Sequence, residues 1–362
     1  MKFLFTAGGS HSTVFSMAPL ATAARTAGHD VLLTVDEPVL EAAEAIGVPA
    51  VPVPHPGEAA ARLDALLDLS RDWTPDVVVG GLSYVPGLLA AHLGVPYVRQ
   101  YWDIVPLRPE PALPELLERV GLDAPPEHAL FIDVCPPALR PSPTPGARPM
   151  RWVPRNRQLR LEPWMYTRPK GRPRVLITAG TRAAKLRNTG DSTRRLVDGL
   201  RLTGAEVLVA APPGAAEQFG TELGDVRVGW LPLDVVAPTC DLMVHHGGAA
   251  TAMTGAAAGT PQLITPENNY AKEIARAFTG FGGARTVVPD DRPQEDPGEV
   301  IAESCREILA DPAYAERAAA LRQEIAALPT PYEMVAELEG LAAGWPQRAS
   351  LHPVFPARRN AA

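Results

Sequence analysis

Cysteine is scarce here: three in 362 residues, Cys135, Cys240 and Cys305, set far apart. That spacing fits neither a disulfide framework nor a metal-ligand pattern, so all three are expected to be structural thiols in a reducing compartment. Long apolar runs are missing too. No stretch of about 18 apolar residues occurs, which excludes a membrane-spanning helix. The opening MKFLFTAGG has one lysine before an apolar run too short for a signal peptide and reads as a first strand, so the expected location is the cytoplasm. A basic excess is likewise lacking. With a net charge of −7 the chain is not expected to bind nucleic acid, because neutralising phosphates needs surplus lysine and arginine. A local site for a small anion stays open.

What is present is ordinary globular material, 46% hydrophobic and 21% charged. The length exceeds what one core usually fills, which points to two domains of about 150 to 200 residues. Two stretches share one order of strand, glycine turn, helix and strand, as alternating units of a parallel sheet do. The first runs through KFLFTAGG (2–9), a helix around Met17 to Ala27, Gly28 as its stop, and a strand from Asp30 to Val35. The second runs through RVLITAGT (174–181), a helix around Ser192 to Leu202, Gly204, and a strand from Glu206 to Ala210. Each half therefore reads as a Rossmann-type α/β domain. Further strands are expected at DVVVGG (76–81), VPYVRQYW (95–102), VRVGW (226–230), DLMVHH (241–246) and PQLITP (261–266). The proline- and arginine-rich stretch from Pro141 to Lys170 cannot form a regular element and reads as the join. The expected division is a first domain over 1–155, a linker over 156–171, a second domain over 172–345 and a tail over 346–362.

The sharpest signal is CDLMVHHGGAATAMTGAAAGTPQL, Cys240 to Leu263: a strand, two histidines, two glycines and a helix of small residues. Glycines let main-chain N–H groups approach an anion, and the helix that starts there presents its positive dipole end. Thr251 can donate its hydroxyl to the same oxygens, and His246 can donate from one ring nitrogen even when neutral. A tight strand-to-helix turn without a ligand is the alternative for a glycine pair taken alone.

Taken whole, the segment resembles the nucleotide-sugar signature of bacterial natural-product glycosyltransferases. MRWVPRN (150–156), RPRVLITAGT (172–181), VRVGWLPLD (226–234) and IDVCPPALR (132–140) extend the resemblance over most of the chain. It implies a GT-B fold, two Rossmann-like domains facing each other across a cleft, with acceptor bound by the first and donor by the second. It also implies inverting transfer of a sugar or deoxysugar from a dTDP- or UDP-linked donor to a small aglycone such as an aromatic polyketide. The nucleotide sugar is then a co-substrate, and no metal or other cofactor is expected. His246, Gly247, Gly248 and Thr251 match the diphosphate-binding positions. Thr181 would sit opposite the phosphates, and Trp230, Leu231 and Pro232 would hold the nucleobase, although Trp230 can equally be a core aromatic ending a strand. Ala250 stands where the family usually has glycine.

Two departures accompany the likeness. Where the family carries Asp-Gln to grip sugar hydroxyls, this sequence has PENNYAKE (266–273), so Glu267, Asn268 and Asn269 either substitute or lie in a solvated loop. Inverting transfer also needs a general base near the acceptor oxygen. The family's histidine and aspartate positions hold Thr13 and Gly80. His11 is the nearest substitute, in a loop that could swing toward the cleft, and Asp103 is a second candidate. Thr13 and Ser10 can hydrogen-bond but are poor bases. The region between Val53 and Asp76 is short, with one helix at Glu58 to Leu69, so the acceptor pocket is expected to be open or completed by another protein, either an auxiliary partner or a second copy. Two other classes stay open: a binding partner or activator of an active transferase, and a nucleotide-sugar epimerase on the same fold.

Overall fold

The computed structural model describes residues 1–81, 83–102, 104, 110–140, 142, 144–178, 190–212, 214, 216, 223, 226–288, 291 and 294–346. Among them run two parallel sheets, one within each half of the chain. The first holds β1 (Lys2–Thr6), β2 (Asp30–Val35), β3 (Ala50–Pro52), β4 (Val77–Gly80), β5 (Tyr97–Tyr101), β6 (Leu130–Asp133) and β7 (Arg148–Pro149), in the order β3-β2-β1-β4-β5-β6-β7. The second holds β8 (Arg174–Thr178), β9 (Glu206–Ala210), β10 (Arg227–Gly229), β11 (Leu242–His245), β12 (Gln262–Ile264) and β13 (Ala284–Thr286), in the order β10-β9-β8-β11-β12-β13.

Parallel strands covered on both faces read as unbroken apolar runs. Phe3, Leu4 and Phe5 of β1 and Val77, Val78 and Val79 of β4 are accordingly all buried. The first sheet's helices are α1 (His11–Thr26), α2 (Leu40–Ala45), α3 (Ala59–Asp72), α4 (Val85–Leu93) and α5 (Leu113–Val120). Next come α6 (Pro163–Tyr166), α7 (Gly190–Arg201), α8 (Leu233–Val236), α9 (Ala249–Ala258), α10 (Asn269–Phe281), α11 (Pro297–Ala310), α12 (Pro312–Ala327) and α13 (Pro331–Gly344).

Three sequence expectations change. The stretch from Pro141 to Lys170, expected to hold no regular element, contains β7 and the single-turn helix α6. Helix α1 begins at His11, not near Met17, and continues through Pro19. The segment 172–345 does not pack as a single lobe, because α13 returns to the first half and lies against α1. Its Leu338, Val335 and Met334 join the same apolar cluster as Phe3 and Val14. Polar contacts fix the crossing: Arg151 N–H donates to Pro329 O at 2.7 Å, Trp345 Nε1–H donates to Gly94 O at 3.0 Å, and His29 Nε2 lies 2.8 Å from Glu339 Oε1.

Candidate functional site

In both sheets the chain order reverses beside the central strand, between β1 and β4 and between β8 and β11. Ligands of open α/β sheets bind at the carboxyl ends of strands at such points. The turn after β1 is Ala7-Gly8-Gly9-Ser10, and the turn after β11 is His246-Gly247-Gly248.

The second turn is held by a buried polar chain. His245 Nδ1 accepts the Gly247 N–H at 3.1 Å, which places the ring proton on Nε2, where it meets Gln262 Oε1 at 2.8 Å. Gln262 Nε2 in turn donates to Ala252 O of α9 at 3.0 Å. Full burial, with His246 beside it, pushes His245 down to about 3, so the ring is neutral and its tautomer is fixed. Gly247 adopts φ +83°, and a Cβ there would come within 2.9 Å of Ala271 Cβ. A Cβ on Gly248 would lie 2.7 Å from His246 Nε2. Gly247 is therefore required by space as well as by conformation, whereas Gly248, at φ −69°, is crowded only by the His246 ring. Gly248 precedes α9 with no side-chain cap, which leaves the amides of its first turn to an anion.

A cavity of about 510 Å³ opens at that helix end and is lined from both halves of the chain. His246, Gly247, Gly248 and Thr251 line it, as do Trp230, Leu231 and Asn268. Ser10, His11, Thr13, Phe15, Pro56 and Tyr101 face it from the first half. Asn268 Oδ1 accepts the Ala271 N–H at 2.9 Å, so this asparagine caps α10 while its side chain borders the cavity. Asn269 and Glu267 are exposed and are not among the lining residues, and neither is Pro232. Trp230 is half-buried and donates its ring N–H to Arg157 O at 3.0 Å, so it is not a core aromatic. Thr181 and Asp103 lie outside the described residues.

On the acceptor-facing side, Thr13 is committed to its turn. Its hydroxyl contacts Gly8 O and Ser10 O at 2.8 Å each and accepts the Gly8 N–H at 3.0 Å, which argues against a role as base. Gly80 has no room for a side chain: a Cβ would lie 2.5 Å from Pro86 Cγ and 2.6 Å from Thr6 Oγ1. His11 is not in a swinging loop. It is the first residue of α1, where the helix dipole and burial both disfavour the imidazolium; burial lowers its pKa, and the charges of Glu41 and Asp36 oppose that.

Beneath the Gly8-Gly9 turn lies a pair that the sequence reading did not single out. Asp36 Oδ1 accepts the Gly9 N–H at 2.6 Å, and Arg62 donates to Ala7 O and to Pro54 O. Both side chains are 3% exposed, and burial draws Arg62 down to about 10 against the pull of Asp36. One signal was available: Arg62 interrupts the apolar stripe Ala59, Leu63, Leu66, Leu67 of α3, so its charge had to be answered inside the fold. His245 and Gln262 were not recognisable as partners, since 17 residues separate them.

Two family models match the chain. Residues 59–180 match the N-terminal domain, and residues 194–341 the C-terminal domain, of the erythromycin biosynthesis protein CIII-like family. An L-demethylnoviosyl transferase of Streptomyces niveus is 33% identical, over 95% of this chain and 98% of its own. The chain belongs to the CIII-like glycosyltransferases. Among solved structures, the Streptomyces sp. SF2575 glycosyltransferase SsfS6 in complex with thymidine diphosphate superposes with a TM-score of 0.79 at 28% identity, covering 94% of this chain and 99% of that one. The spinosyn rhamnosyltransferase SpnG, also with thymidine diphosphate, gives 0.83 at 26% identity, covering 94% and 100%. The CIII-like chain thus has the GT-B fold, and it is a glycosyltransferase. No described helix is long and apolar enough to cross a membrane.

Proposed function

We propose that this transferase moves a deoxysugar from a thymidine or uridine diphosphate donor to a small natural-product aglycone, with inversion at the anomeric carbon. One observation carries the reading: a single cavity joins the uncapped start of α9, with His246, to His11 from the other half. In this scheme the second half binds the donor. Main-chain amides at the head of α9 and the hydroxyl of Thr251 receive the diphosphate, His246 donates to it, and Trp230 and Leu231 wall the nucleobase. The first half presents the acceptor. His11 takes the proton of the acceptor hydroxyl as its oxygen attacks the anomeric carbon from the face opposite the diphosphate. The bond to the diphosphate breaks, the leaving group keeps the electron pair, and His11 later returns its proton to water. Thymidine diphosphate bound in the SsfS6 and SpnG structures supports the nucleotide. A phenolic acceptor, which ionises readily, suits a lone histidine better than an aliphatic alcohol does.

The test is incubation with a dTDP-sugar and a panel of phenolic aglycones. Release of thymidine diphosphate matched by a glycoside of inverted anomeric configuration supports the reading; a glycoside of retained configuration would overturn the inverting mechanism. The lack of room at Gly80 and the engaged hydroxyl of Thr13 favour a second reading, a nucleotide-sugar-binding partner of another transferase. Tight binding of donor with no turnover on any acceptor would select it.

A further inference from the structure

A second cavity, of about 250 Å³, shares His11 and Trp230 with the first and is otherwise walled by Glu41 and Ala42 of α2 and by Arg157, Gln158 and Leu159. Glu41 and Arg157 form an ion pair of 2.6 Å at its edge. Arg157 is itself held from the second half: its carbonyl accepts the Trp230 ring N–H at 3.0 Å, and the next side chain, Gln158, donates to Asp234 at 2.8 Å. The pair therefore links α2 of the first half to the loop that walls the main cavity.

A histidine that takes a proton during transfer needs a carboxylate to steady the cation. The position of Gly80 cannot supply one, because a side chain there collides with Pro86 and Thr6. Asp36 is buried and already engaged by the Gly9 N–H, with the Arg62 guanidinium close behind it. Glu41 is the acidic residue that borders the same cavity as His11. The other charged or titratable groups around His11 are Arg157 in the second cavity, Asp36 backed by Arg62 beneath the turn, His55 near Gly9, and His246 across the main cavity. Of the acidic ones, Glu41 opposes the effect of burial on His11 more strongly than Asp36.

Resting on the reading of His11 as base, we propose that Glu41 is a positioning residue for the transfer. Its carboxylate, held at the second cavity by Arg157, steadies the imidazolium that His11 becomes when it accepts the acceptor's proton. The proton stays on His11, and Glu41 acts only through its charge. Because Arg157 is tied to Trp230, the placement of this carboxylate depends on the same loop that would contact the nucleobase.

The experiment is a pH titration of the full chain carrying ¹³C-labelled histidine rings, with saturating thymidine diphosphate, the His11 signal being assigned by its loss in His11→Asn. Glu41→Gln should lower the His11 midpoint by ~0.5 unit or more, and Arg157→Met, which bares Glu41, should raise it. Opposite movements are the signature, since a packing defect moves both variants the same way. With a dTDP-sugar and a phenolic acceptor, Glu41→Gln should lose roughly tenfold or more in kcat while the donor KM stays within about twofold, and Glu41→Asp should recover part of it. Midpoints that stay put, or that move together, overturn the proposal. The two possible failures separate cleanly. An inactive His11→Asn beside a silent Glu41→Gln removes Glu41 alone, whereas a fully active His11→Asn removes the base and the role of Glu41 with it.

Discussion

His246, His11 and Gly247 give three measurements at the scale of single residues. Exchanging His246 for alanine removes a donor from the proposed diphosphate site and should weaken thymidine diphosphate binding by about 1 to 3 kcal/mol by calorimetry. Unchanged affinity would take His246 out of the site. For His11, only the neutral ring can accept a proton, so kcat/KM should rise with pH through the His11 midpoint and then level off. Burial places that midpoint below the ordinary histidine value, so the plateau should already be reached near neutrality. His11→Ala should cost at least about 10²-fold in rate, and a loss within about twofold would exclude it as base. Gly247→Ala forces a side chain into the left-handed region against Ala271, which should cost on the order of 1 to 3 kcal/mol in thermal unfolding.

At the scale of elements, the chain from His245 through Gln262 to Ala252 ties β11, β12 and α9 together. Gln262→Leu leaves the His245 ring N–H buried without its acceptor and should destabilise the fold by about 1 to 3 kcal/mol. A Tm equal to the parent's would show that the chain is dispensable. His245 also makes stability depend on pH. Its folded pKa, about 3, lies below the unfolded value of 6.5, so the unfolded chain takes up the proton first. Stability from this group is intact above that unfolded value and drains away as pH falls toward 3, by at most about 1.4 kcal/mol per unit. Denaturant titrations across this window should show a shallower slope in His245→Asn.

For the molecule as a whole, α13 joins the two halves together with α9 and α10, which share its apolar cluster with residues of the first half. Leu338 is completely buried in the cluster that includes Phe3 and Val14, so Leu338→Ala should cost about 2 to 5 kcal/mol. Hydrogen exchange should show the lost protection in α1, far away in sequence. Loss confined to residues of the second half would contradict this account of the packing.

Much of this was legible in the order of residues. Period, glycine position and strand composition fixed the two β/α repeats, because burying a parallel strand on both faces demands an apolar run wherever it lies. The HHGG turn was legible for the same local reason: amides near an anion need glycines, and the helix must follow at once. Sequence could also show that Thr13 and Gly80 break the family pattern. What answers that break was left to the tertiary structure. The bonds of Asp36 and Arg62 to the turn after β1, the His245–Gln262 bond, the Glu41–Arg157 pair beside His11 and the return of α13 all join residues distant in the chain. Such contacts depend on how sheets and helices are brought together, and no local periodicity records which charge will meet which.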